Sequence, residues 1–498
     1  MEQEMQPSRP SEEAGLVREL LNGSISRRDF MRRAALAGMS AATVATALSA
    51  GGAVAASRRG VSAAGKAANA EAFDPMKYAG TKLSILMTGS ENDHRALADL
   101  LPQLKDETGI ELEISAPALD ALIPKTQQEL TAPQSAFELI EYLGFLTTGY
   151  MKNGYFAQLN DLIADPAETD PTWDWADFIT PSVNNVSIFD PATNAIGVGD
   201  KVFGVPGLHS GSVIYFYRKD LFEAAGLQPA STWEEFMEAA KILNKPGEVA
   251  GCSFIGANDF SLATVSWYTT FLTTGGVLMS GSPATQDFKP NLTSPEAVGA
   301  LQYLIDLLPY APENVTSYGF AENVDGFASG KIAQMVFWST IAGPIYGEDS
   351  LVADTTGATL VPASPGQTPS AILGGWGTGI PANVDPAKRG AAWRALQWIT
   401  NKAANDYFAR EYQIDASRYS TYANEELIAE LPYLPVAGES MANAHTIETS
   451  VLDDFFGMNA VMNVEFNKAL IGDQDAATAC ANVQALWEDS LRKAGALA

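Results

Sequence analysis

Side chains able to move a proton, hold a metal or attack a bond are sparse in this chain, and none falls into a pattern that demands catalysis. There are two cysteines, Cys252 and Cys480, and three histidines, His94, His209 and His445. No Cys-x-x-Cys or His-x-x-x-His pattern occurs, so neither a soft-ligand metal centre nor a cofactor is assigned. A disulfide and two buried thiols both remain open for the cysteines. A glycosidase needs two carboxylates flanking one bond at a defined separation. Glu91, Glu141 and Asp259 are carboxylates of the right type, but nothing in their spacing requires that role. Gly-x-Ser-x-Gly, phosphate-loop and zinc motifs are absent, and no catalytic residue is assigned.

The charge balance narrows the partners. The chain has 498 residues, 59 acidic against 31 basic, for a net charge of −28. Such a field repels nucleic acid and anionic lipid. The length suits two or three domains. Near the N-terminus, Ser26-Arg27-Arg28-Asp29-Phe30-Met31 resembles a twin-arginine export signal. The weakly apolar run Ala34–Ala56 follows, ending in the small-x-small sequence Ala53-Val54-Ala55. Its Ala, Gly, Ser and Thr contribute too little transfer energy for a membrane anchor, and no lipid-accepting cysteine comes next. Residues 1–56 are therefore expected to be a cleaved signal and 57–72 a linker. The mature chain is expected to be periplasmic and monomeric, with the twin-arginine translocase as its partner during export.

Candidate side chains need elements to hold them. Lys82–Met87 is a short apolar run suited to a buried strand, and Leu97, Leu100, Leu101 and Leu104 have helical spacing. Ile110–Ile114 alternates apolar and acidic residues, and Phe137–Tyr142 is a further strand. This β-α-β-α-β opening predicts a parallel sheet covered by helices. Val213–Tyr217 reads as a strand, Asp220 as the cap of a short helix ending at Gly226, and Thr232-Trp233-Glu234-Glu235 as a capping box. Pro386 suits a first helical position, and Val483, Leu486, Trp487 and Leu491 form an apolar stripe on the last helix.

Several of these stretches, in order, resemble the family 1 extracellular solute-binding proteins of ABC importers, which include the maltose-binding type. They are Val202–Pro206, Tyr217–Phe222 with Gly226-Leu227, Thr232–Phe236, Phe327–Met335, Gly374-Gly375-Trp376-Gly377 and Ala469–Gly472. Phe327–Met335 departs from the family pattern by one extra residue, Gln334. The resemblance spans nearly all of residues 80–495. It implies an α/β fold of two lobes, each a mixed sheet flanked by helices, with a ligand cleft between them. By analogy, residues 73–207 and 362–425 form one lobe and 211–361 and 426–495 the other. The crossings then fall near 206–212, 361–365 and 423–430.

The resemblance also implies which residues face the cleft. Such sites stack aromatic rings on a sugar's C–H faces and offer polar groups to its hydroxyls. Carried over position by position, the candidates are Glu91 and Asn92 after the first strand, and Tyr142 at the end of the third. His209 and Ser210 lie at the first crossing, and Asn258 and Asp259 in a second-lobe loop. Trp338, Trp376 and Phe456 are the expected aromatic walls. The implied function is capture of a small solute, foremost a sugar or oligosaccharide, and its delivery to permease subunits. A polyol, a glycerol phosphate ester and a sensory role are the alternatives. Replacing Arg27 and Arg28 together by Lys is expected to leave the full-length precursor in the cytoplasm. Cell fractionation, with N-terminal sequencing of the wild-type protein expected to start near Ala56 or Ser57, checks this.

Overall fold

The structure, a computed structural model, describes residues 72–90, 92–258, 264–282, 285–370, 372–445 and 455–498. The expected signal, and nearly all of the linker, lie outside these residues. Seven strands form the main sheet: β1 (Lys82–Leu86), β2 (Glu111–Ser115), β3 (Leu139–Leu143), β4 (Val205–Arg218), β5 (Gln334–Trp338), β6 (Thr356–Thr359) and β7 (Leu373–Gly379). The first three are short apolar runs separated by helices α1 (Asp93–Thr108) and α2 (Leu119–Thr131), as the opening pattern predicts. β1 pairs in parallel with both β2 and β3, the arrangement that helical crossovers produce. The sheet order is β6-β4-β7-β3-β1-β2, with β5 also paired to β4.

β4 joins the two halves of this mixed sheet. Its N-terminal half pairs antiparallel with β7, matching Gly211 to Gly374. Its C-terminal half pairs with β5, matching Val213 to Trp338, and with β6, matching Tyr215 to Thr359. At 14 residues it is far longer than the strand expected at Val213–Tyr217. The added half carries Pro206, Gly207, Ser210 and Gly211, residue types of low strand propensity. Neighbours override that propensity. The Ser210 amide donates to the Asp415 carbonyl at 3.0 Å, and the Ser212 amide to Ser339 Oγ at 3.2 Å. The register shift between Gly375 and Gly377 absorbs the mismatch.

Each half has its own core. Leu83, Ile85, Leu97, Leu104, Leu139 and Trp393 pack on one face of the β1–β3 region. A smaller cluster there joins Leu86, Ile140, Tyr142, Phe156, Phe203 and Trp376. Ile214, Phe216, Trp233, Trp267, Phe327, Phe337 and Trp487 centre the other half.

Local chemistry follows the sequence in most places. The capping box is complete, with the Glu235 amide donating to Thr232 Oγ1 and the Thr232 amide to Glu235 Oε2, both at 3.2 Å. Asp220 is not a cap: Arg218 occupies that position, and Asp220 sits in the first turn, bound to the Arg218 guanidinium. Cys252 and Cys480 are separate buried thiols. In the last helix (Ala476–Lys493), Val483, Trp487 and Leu491 are buried, whereas Leu486 is 45% exposed. Leu486 neighbours Trp487, and one helical residue turns the side chain by about 100°, away from the contact. Trp487→Ala, which also removes the 2.8 Å bond from Nε1 to the Met458 carbonyl, is expected to cost about 3–5 kcal/mol of stability. Leu486→Ala is expected to stay within about 0.5 kcal/mol. Urea denaturation of the two variants checks the difference.

Candidate functional site

Ligands of open α/β sheets bind beyond the carboxyl ends of the strands. There the polar residues of this fold converge. Beyond β1, Asp93 opens α1 with its carboxylate fully buried. Near the end of β3, Glu141 is fully buried, and its Oε2 accepts the Thr88 amide at 2.9 Å. From β4, His209 places Nδ1 at 3.4 Å from Asp93 Oδ2. Asp415, after the helix Lys402–Tyr412, is also fully buried. Burial pushes its carboxyl up to about 6, against the opposing hydrogen bond from Ser339 and the charge of His209.

Ser339 ties this cluster to the second half of the sheet. It directly follows β5, and its hydroxyl lies between the Asp415 carboxylate and the Ser212 carbonyl, 2.8 Å from the latter. Ser210 is held beside it by hydroxyls, with Oγ 3.0 Å from Ser417 Oγ and 3.4 Å from Ser182 Oγ. Gly211 stands beside the same groups. A Cβ there would stand 3.8 Å from both Asp415 Oδ2 and His209 Nε2, and only 2.8 Å from the Thr340 methyl. On the paired strand, a Cβ on Gly374 would meet the Trp338 ring at 2.8 Å. Groups from both halves of the fold thus meet in one buried polar cluster.

The expected site residues distribute unevenly. His209 and Ser210 belong to this cluster, and the Trp338 ring adjoins it over Gly374. Tyr142 and Trp376 stand elsewhere, in the apolar cluster with Phe156 and Phe203. The Tyr142 hydroxyl donates to the Val186 carbonyl at 2.6 Å, and burial drives its pKa well above the ordinary phenol value. Asn92 and Asn258 are exposed. Glu91, Asp259 and the side chain of Phe456 lie outside the described residues. Sequence reasoning missed Asp93, Asp415 and Ser339. Asp93 adjoined a candidate loop, but Asp415 carries no local motif.

One long strand joins the two halves of the mixed sheet, and a buried polar cluster lies against it. The chain belongs to the bacterial extracellular solute-binding protein family, whose sequence profile matches residues 88–406. It is 26% identical over 256 residues to a probable ABC transporter-binding protein of Deinococcus radiodurans, covering 50% of this chain and 59% of that one. It is 26% identical over 325 residues to a mannitol-binding protein of Pseudomonas aeruginosa, covering 61% of this chain and 72% of that one. Two solved structures share the fold. The ribitol complex of an ABC transporter solute-binding protein from Agrobacterium radiobacter K84 has a TM-score of 0.69 at 24% identity, covering 83% of this chain and 99% of that one. Maltose-bound MalE3 of T. maritima has a TM-score of 0.70 at 20% identity, covering 83% and 100%.

Folding raises the Asp415 pKa from 3.8 to about 6, so the folded chain favours the protonated carboxyl. That stability is fully present below the unfolded value and is lost as pH rises through about 6. A shift of roughly two units corresponds to about 3 kcal/mol. Asp415→Asn keeps an oxygen acceptor for Ser339 without the buried charge. It is expected to raise the melting temperature of the ligand-free protein at pH 8 and to have little effect at pH 4. Thermal melts at both pH values check this.

Proposed function

We propose that this protein captures an uncharged sugar or polyol between its lobes and delivers it to the permease subunits of an ABC importer. The observation that carries the reading is the enclosed cluster of Asp93, His209, Asp415 and Ser339, where lobe-joining strand β4 meets the loop after β5. Asp415 Oδ1 and both Asp93 carboxylate oxygens are buried without a hydrogen bond from the protein. A buried acceptor without a donor is costly, and hydroxyls of a polyhydroxy ligand supply the donors. The mannitol-binding relative supports this class of ligand. A ligand touching both lobes favours the closed state by its differential affinity for that state.

In this reading 73–207 with 362–425, and 211–361 with 426–495, are the two lobes. Glu91, Asn92, Asn258, Asp259 and Phe456 are further candidate ligand contacts carried over from the family resemblance, and the folded protein leaves the cytoplasm by the twin-arginine route. Trp338 and Trp376 are both buried members of apolar clusters. Trp338 is the ring assigned to the ligand in this reading, because it borders the Gly211–Gly374 pair.

Isothermal titration with mannitol, ribitol and maltose tests the reading. Binding of at least one is expected, and absence of binding by all three overturns it. Losing a buried ring contact removes roughly 1.5–3 kcal/mol, so Trp338→Ala is expected to weaken binding about tenfold to a hundredfold. Trp376→Ala is expected to lower the melting temperature of the empty protein and to affect affinity less.

A further inference from the structure

We propose that Asp93 and Asp415 make the cleft reject anions, so that it admits a polyhydroxy compound but excludes the carboxylate or phosphate derivative of the same carbon skeleton. This rests on the reading of the cleft as a sugar or polyol site, and adds the charge class of its ligand.

Both carboxylates are fully buried. Asp93 faces His209 at 3.4 Å, and Asp415 receives the Ser339 hydroxyl. Among the described residues, the lysine and arginine ion pairs go to carboxylates other than these two. Arg418 is the arginine nearest to Asp415 in the chain; its Nη2 has no hydrogen-bond partner, and its other nitrogens are committed elsewhere. Its Nη1 binds Asp177 at 3.3 Å and the Asp174 carbonyl at 2.9 Å, its Nε binds the Thr400 carbonyl at 2.7 Å, and its guanidinium lies over the Phe178 ring.

An ionised carboxylate only accepts hydrogen bonds. Asp415 Oδ1 and both Asp93 oxygens lack a protein donor, so a group placed against them must donate. A hydroxyl does so without charge. A ligand carboxylate or phosphate brings further acceptors and a like charge into a region shielded from water, where repulsion is poorly screened. Specificity is then built on a penalty against the wrong ligand as well as on contacts to the right one. The structure thus assigns Asp93 and Asp415 to charge discrimination, a role separate from the ring contact of Trp338.

Titration at pH 7.5 with matched pairs tests this: mannitol against mannonate, ribitol against ribonate, and maltose against maltobionate. For whichever neutral member binds, its anionic counterpart is expected to bind at least a hundredfold more weakly. In Asp415→Asn and in Asp93→Asn, this ratio is expected to narrow at least tenfold. Circular dichroism confirms folding of each variant. An anion bound within tenfold of its neutral partner overturns the proposal while leaving the sugar-or-polyol reading intact. So does a ratio unchanged in both variants. Failure of all six compounds to bind removes the underlying reading and this inference with it.

Discussion

A carboxylate kept in a site that water does not reach is the constraint on which the centre of this molecule depends. Asp415 is fully buried, and desolvation of its charge is the largest influence on it. Such a group persists only where its surroundings hold it in place. Its backbone carbonyl fixes Ser210 of β4, and its side chain fixes Ser339 beyond β5. Ser339 in turn satisfies the amide of Ser212. One residue therefore connects the central strand, the turn that follows β5, and the segment after the helix Lys402–Tyr412.

That connection shapes the energetics of the cleft. Apolar burial in two separate cores holds each lobe together. Beside the central strand, Asp93 and Asp415 add buried acceptors that no protein donor satisfies. Such acceptors cost stability. The cluster around Tyr142 and Trp376 is held by apolar contacts.

Much of the fold is legible in the sequence because its signals are local. Apolar runs mark β1 to β3, a Thr and a Glu three residues apart mark a helix start, and ordered motifs mark the family. The first half of β4 was hidden because Pro206, Gly207, Ser210 and Gly211 read as a crossing, and their strand geometry is imposed by neighbours distant in sequence. Of the candidate cluster, the sequence pointed to His209 and Ser210 but not to Asp415, whose hydroxyl partner lies 76 residues away. Aromatic residues show a different difficulty. Successive strand residues point to opposite faces, so Glu141 and Tyr142 are neighbours in sequence yet serve a polar site and an apolar core. Ring chemistry alone does not reveal which side a ring takes.

The glycine pair across β4 and β7 limits how this part of the sheet can change. Gly211 and Gly374 already carry the smallest side chain, so every substitution there adds volume, against Thr340 in one case and Trp338 in the other. A larger residue at either position therefore needs a smaller one at its neighbour. The two positions have an asymmetric set of neighbours in sequence space, and that asymmetry is written into two hydrogen atoms.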